Sequence, residues 1–222
     1  MPSRLPIFPL SVVLFPGTLL PLHIFEPRYR RLLADCLVAD RRFGITLPGA
    51  GGELPDPGAV GCVAEIRVNQ ELPDGCSNIL VVGEARFVLT SIVNDVAPYH
   101  VALVQTFEDD PASSPPPARI ERLREEFLRY AELLRQLNEG HDVGAELESG
   151  PVLLSFQVAA ALDCDPLVKQ RLLAERSTAG RVEALLLLLP LLTSATETAL
   201  QTHHRARTNG RGSAHPELWT SG

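Results

Sequence analysis

Apolar residues dominate the first 33 positions, but prolines at 6, 9, 16 and 21 cut them into short runs. Each proline removes a backbone donor and clashes with the preceding turn, so LPIFPLSVVLFPGTLLPLHIF cannot be one helix. It fits neither a signal peptide nor a transmembrane helix, which needs about 20 unbroken apolar residues. The other apolar block, ALLLLLPLL at 184–192, is shorter and carries Pro190. The opening is expected to be extended. Leu5–Leu10 reads as a strand of edge type, where proline is tolerated. Val12–Phe15 reads as a second short run, Pro16-Gly17 as a turn and Leu19–Phe25 as a third strand. Pro27 then starts a helix capped by Glu26 or Phe25, whose Tyr29, Leu32, Leu33, Cys36 and Leu37 keep helical spacing.

Between residues 41 and 108 the period is that of strands. Arg42–Leu47 is a short one. Val60, Cys62, Ala64, Ile66 and Val68 alternate strictly, as a half-buried strand does. LPDG at 72–75 predicts a turn. Asn78–Val82 and Arg86–Val93 predict strand on either side of a bulge or bend at Gly83-Glu84, and a last strand spans Tyr99–Phe107. DDPASSPPPAR at 109–119 then predicts a stiff, extended linker. Beyond it, Ile120, Leu123, Phe127, Tyr130, Leu134 and Leu137 step by three and four, giving an amphipathic helix stopped by Gly140. Further helices are expected over Pro151–Leu162, over Leu167–Glu175 behind an Asp165-Pro166 cap, and over Ala179–Leu200 behind Thr178, kinked at Pro190. Antiparallel packing of the four would make a bundle. The expected class is α+β: a curled sheet or pseudo-barrel with one early helix over 1–110, the linker at 111–119, an α-helical bundle over 120–200 and a flexible tail over 201–222.

Composition narrows function more than fold. The net charge of −7 disfavours a general nucleic-acid binder. Lys169 is the sole lysine, which removes most lysine chemistry. The cysteines at 36, 62, 76 and 164 form no C-x-x-C pair and stand near no histidine at ligand spacing, so structural thiols of a reducing, cytoplasmic compartment are expected.

LPIFPLSVVLFPGTLLPLHIFEPRYRRLL, then VGCVAEI at 60–66 and LPDGCSNILVVGEARF at 72–87, resembles in order and spacing the N-terminal substrate-binding domain of Lon proteases. DCDPLVKQRLLAERSTAGRVEALLLLL is similar to the paired capped helices of its second half. The likeness covers roughly residues 4–200. It implies a PUA-like β-domain followed by helices, recognition of polypeptide, and no chemistry of its own. No G-x-x-x-x-G-K-[ST] phosphate loop is present, and Lys169 falls in a recognition-domain helix rather than in a Ser-Lys pair. Neither an enzyme nor a cofactor is expected.

Several residues invite a catalytic reading that a structural one outweighs. His23 and Glu26 lack a nucleophile or metal. Glu84 and Arg86 read as strand-face charges, one of them paired across the sheet. Ser91, Ser155 and Ser194 lack a nucleophile-elbow setting. His203, His204 and His215 sit in the tail without a carboxylate or thiol. Asp163, Cys164 and Asp165 form a capped turn. For binding, the favoured surface is the proline-broken opening, where an extended apolar segment could add as a strand. Phe8, Phe15, Leu19, Phe25 and Tyr29 are the candidate residues, most of them core and one or two lining a groove. A crevice between the two domains is the other candidate place. Expected partners are unfolded or exposed apolar polypeptide segments and a separate protease, with no membrane. RNA binding, prompted by the PUA-like expectation and the local Arg28, Arg30, Arg31 cluster, is the alternative, with small-molecule binding a third.

Overall fold

The computed structural model describes residues 2–49, 51–52, 54–93, 97–137 and 147–209. Within them the chain runs β1 (Ser3–Pro9), β2 (Leu19–Ile24), α1 (Pro27–Val38), β3 (Arg42–Thr46), β4 (Val60–Glu71), β5 (Ser77–Val93) and β6 (His100–Thr106). Four helices follow: α2 (Pro117–Leu137), α3 (Pro151–Ala161), α4 (Pro166–Ala174) and α5 (Thr178–Asn209).

The strands form one mixed sheet in the order β2-β5-β4-β3-β1-β6, and β5 pairs with β6 as well. That extra pairing closes β5, β4, β3, β1 and β6 into a ring and leaves β2 outside it. Strand β5 makes this possible by its length. Its first half pairs with β2 (Leu19↔Val82 to Ile24↔Ser77) and its second with β6 (Phe87↔Thr106 to Val93↔Val101). The halves meet at an irregularity against β4: Cys62 faces Arg86 but Ala64 faces Gly83, so the extra residue lies on β5 beside Gly83-Glu84, where the bend was expected.

A second irregularity explains one lapse in alternation. Val60, Cys62, Ala64 and Ile66 are buried, but Val68 is exposed. Between Ile66 and Val68 strand β4 carries one residue more than β5, and a one-residue slip sends the next side chain to the other face.

Strand β1 is not at an edge, contrary to the sequence expectation. It lies between β3 and β6, antiparallel to β6 over Ser3–Ile7 and parallel to β3 over Ile7–Pro9. Proline survives there because each half of β1 pairs on one side at a time, leaving a side of the backbone without a ladder. The edge strand is β2, which holds Pro21. Nor is Val12–Phe15 a strand. Held by Leu10 N–H on Thr46 O (2.9 Å) and Gly17 N–H on Gly83 O (2.8 Å), it crosses the barrel end and drops Leu14 and Phe15 into two different cores.

Helix α1 is the amphipathic element the spacing predicts, burying Tyr29, Leu32, Leu33 and Cys36 against the sheet at about 1.5–3 kcal/mol per fully buried large side chain. Glu26 is its N-cap by position, but its carboxylate pairs with Arg28 (2.9 Å) instead of capping. Asp165 does cap α4, accepting from Leu167 N–H at 2.7 Å. At α5 the capping oxygen belongs to Ser177, which accepts from Gly180 N–H at 2.9 Å, rather than to Thr178.

Phe15 and Val60 share one core with Ile120, Leu123, Phe127, Phe156 and Leu185 of the helices. Arg119 pairs with Glu183 (3.0 Å) and Arg129 with Glu197 (2.8 Å), so α2 and α5 run parallel, not antiparallel. The chain spends α3 and α4 on the return between them, and no short loop forces opposite directions. The helix expected from Ile120 starts at Pro117, and helix continues past Leu200 to Asn209, where a flexible tail was expected. Thr178–His203 is long and apolar enough to cross a membrane by length and composition. In the fold it turns Val182, Leu185, Leu186 and Leu189 into the shared core. Gly140, the expected stop of α2, and His215 lie outside the described residues.

Candidate functional site

The five candidate residues separate into two groups. Phe8, Phe15 and Tyr29 are buried. Phe8 packs on Tyr29 with ring centroids 4.0 Å apart and planes tilted by 33°, and Phe15 meets Phe156 of α3 at 6.1 Å. Leu19 and Phe25, at either end of β2, are 62% and 60% exposed. Alternation along an edge strand produces this: Leu20, Leu22 and Ile24 turn inward, while Leu19, Pro21 and His23 face out.

Leu19 stands at the mouth of a cleft of about 240 Å³. One wall is the crossing segment and the start of β2, with Val12, Val13, Leu14 and Leu20; the other is the α3–α4 corner, with Ala160, Cys164, Pro166 and Lys169. The shape of the first wall depends on two glycines. Gly17 closes the Pro16-Gly17 turn with φ +78°, a conformation other residues rarely adopt. Gly83 lies so close under the crossing segment that any Cβ would run into the carbonyl of Phe15. Apolar surface extends beyond the mouth through Val12 and Leu167, which are 43% and 62% exposed. No backbone ladder occupies the outer side of β2 among the described residues.

Ser11, Thr18, Cys164 and Lys169 bring polar groups to the cleft, and Thr18 Oγ1 donates to Phe15 O at 2.8 Å. The Lys169 ammonium donates to Ala160 O at 2.8 Å. Burial pushes the Cys164 thiol up despite Lys169, so it stays protonated. No group of three or more His, Cys, Asp or Glu placed to hold a metal occurs among the described residues. His23 Nδ1 is 2.8 Å from Asn78 Oδ1, and Glu84 pairs with Arg42 at 2.6 Å. These are structural arrangements.

One feature escaped the sequence. Arg86 is a buried tie and not a strand-face charge. It donates to Leu173 O (2.6 Å) and Glu175 O (2.9 Å) at the end of α4 and pairs with Asp109, which also takes Arg181 of α5 at 2.7 Å. Burial raises the Asp109 carboxyl, but Arg181 and Arg86 outweigh it and hold the group below 3.8. The odd charge inside GEARF, at a strand position whose neighbours are apolar, was the available signal.

Residues 4–190 match the ATP-dependent protease La (LON) substrate-binding domain, and the chain belongs to that family. A Lon protease of Roseiflexus castenholzii is 31% identical over 171 residues, 75% of this chain and 21% of that protein. One of Cytophaga hutchinsonii is 26% identical over 216 residues, 94% of this chain and 26% of that protein. The chain thus spans about a quarter or less of the length of these relatives. Among solved structures, a Lon N-terminal domain protein from Xanthomonas campestris aligns with a TM-score of 0.61 at 27% identity, covering 83% of this chain and 97% of that one. The N-terminal domain of a Mycobacterium avium complex Lon protease aligns at 0.63 and 16% identity, covering 86% and 98%, and shows the fold alone. The mixed sheet with its helices is the Lon N-terminal domain fold, and the match is to the substrate-binding domain.

Proposed function

We propose that this protein is a non-catalytic polypeptide-recognition module, a PUA-like barrel backed by a helical bundle, that serves as an adaptor or accessory factor for a separate protease in the cytoplasm. The observation carrying the reading is the juxtaposition of the unpaired edge of β2 with the apolar cleft beginning at Leu19. An extended client segment adds main-chain hydrogen bonds along the edge and seats a side chain in the cleft. Exposed Val12, Leu19, Phe25 and Leu167 supply apolar surface around it. Ordering entropy keeps a single short segment near micromolar affinity, about −8 kcal/mol.

The surface around α1 favours this reading over RNA binding. Arg28 pairs with Glu26 and Arg31 with Asp35 (3.0 Å), so that part of the arginine cluster is neutralised locally. Fluorescence anisotropy against a labelled, permanently unfolded polypeptide, the same chain folded, and a structured RNA, each at two salt concentrations, tests the proposal. Salt-tolerant binding of the unfolded chain alone is expected. Binding that falls steeply with salt and prefers RNA would overturn it.

A further inference from the structure

Resting on the polypeptide-recognition reading, we infer that the cleft captures the C-terminus of its client: the last side chain, an apolar one, enters between the two walls, and the terminal carboxylate sits on the Lys169 ammonium.

Charge is the first ground. Lys169 is the one charged side chain among the described residues that line the cleft. Its ammonium has three donors, of which Ala160 O takes one at 2.8 Å. Most of the residues lining the cleft with it are apolar, and beside apolar surface a carboxylate is held more strongly than in open water. Asp163 and Asp165 flank Cys164 but are not lining residues, and the Asp165 carboxylate is engaged by Leu167 N–H. The Cys164 thiol, kept protonated by burial, adds no competing anion. Lys169 is the chain's one lysine, and a compact ammonium suits a single carboxylate oxygen where a guanidinium favours a bidentate partner.

Size is the second ground. At about 240 Å³ the cleft is smaller than the roughly 300–1,000 Å³ of sites for drug-sized ligands, so it suits one residue and not a run of them. Position is the third. Strand β2 leads away from the cleft at Leu19, and its outer edge would pair the residues that precede the terminus. A chain that ends in the cleft needs no exit past the α3–α4 corner.

The test uses an N-terminally fluorescein-labelled peptide of about ten residues ending in Ala-Leu-Leu, as free acid and as C-terminal amide, titrated with the full chain. About tenfold weaker binding of the amide is expected, equivalent to about 1.4 kcal/mol. The Lys169→Gln variant should bind the acid as weakly as the native chain binds the amide, with no further loss on amidation. Its thermal midpoint should match the native one, since Lys169 is only half-buried. Equal affinity for acid and amide, with both weakened by Leu19→Asp, would overturn C-terminal capture and leave polypeptide recognition standing. Absence of binding by either peptide, together with none by an unfolded protein, would overturn both.

Discussion

Arg86 of β5 and Arg181 of α5 share one carboxylate, that of Asp109: Arg86 donates to Oδ1 and Arg181 to both oxygens, at 3.2 and 2.7 Å, and both guanidinium groups lie over the ring of Phe156, 5.1 and 3.9 Å from its centroid. The barrel, the segment leaving it and the helices are thereby tied at a single buried point.

Removing the shared carboxylate leaves two buried cations facing each other. Breaking a buried pair by deleting one partner costs about 3–5 kcal/mol. Asp109→Asn should therefore lower the unfolding free energy read from urea titration by that order, whereas Glu121→Gln, at an exposed position on α2, should stay within about 0.5 kcal/mol.

The same carboxylate predicts a pH dependence. Its folded pKa is depressed below 3.8, so its stabilisation is present above the unfolded value and is lost as pH falls through the folded one. The difference in thermal midpoint between the native chain and Asp109→Asn should be widest near neutrality and close as the pH is taken below about 4. A difference that stayed constant down to strong acid would contradict the pairing.

The four free thiols should separate by access. Burial pushes Cys36 and Cys62 up to about 12, and both lie in the sheet core, while Cys76 and Cys164 are half-buried. Maleimide labelling of the native protein should modify Cys76 and Cys164 first and reach the other pair only on unfolding. Mass spectrometry of digests reads this directly. Saturating peptide should slow Cys164 alone.

Gly83→Ala should move the crossing segment, because the new methyl group meets the Phe15 carbonyl. A stability loss of about 1–3 kcal/mol is expected, with a larger fractional loss of peptide affinity than Asp109→Asn causes at a temperature where both are folded.

Leu19→Asp and Phe25→Asp, both at exposed ends of β2, should leave stability nearly unchanged. If the cleft is the site, Leu19→Asp should weaken peptide binding by about tenfold or more and Phe25→Asp by less. The reverse order would move the site to the far end of the strand.

Periodicity located all six strands and every described helix, but it also made a strand of Val12–Phe15 and put β1 at an edge. The exceptions share a cause. Strand identity depends on partners far away in sequence: β1 is interior because His100–Thr106 comes back to it, and nothing within LPIFPL announces that. Val12–Phe15 has a strand's composition but is held by Thr46 and Gly83, so it crosses and does not pair. The cleft was legible only in outline. The proline-broken opening marked one wall, but the α3–α4 corner that completes it lies more than a hundred residues downstream. Arg86 was misjudged because burial of a charge becomes credible only when its acceptors, the carbonyls of Leu173 and Glu175, are in view.

The insertion of β1 between β3 and β6 governs the order in which the protein can assemble. A ribosome releases β1 first, yet its antiparallel partner is the last strand of the sheet, and the ring stays open until that strand has emerged. Until then the first hundred residues carry an unpaired apolar ribbon of the kind quality-control machinery recognises. Such distant pairing slows folding. A protein proposed to bind exposed apolar segments must pass, during its own synthesis, through the condition of its clients.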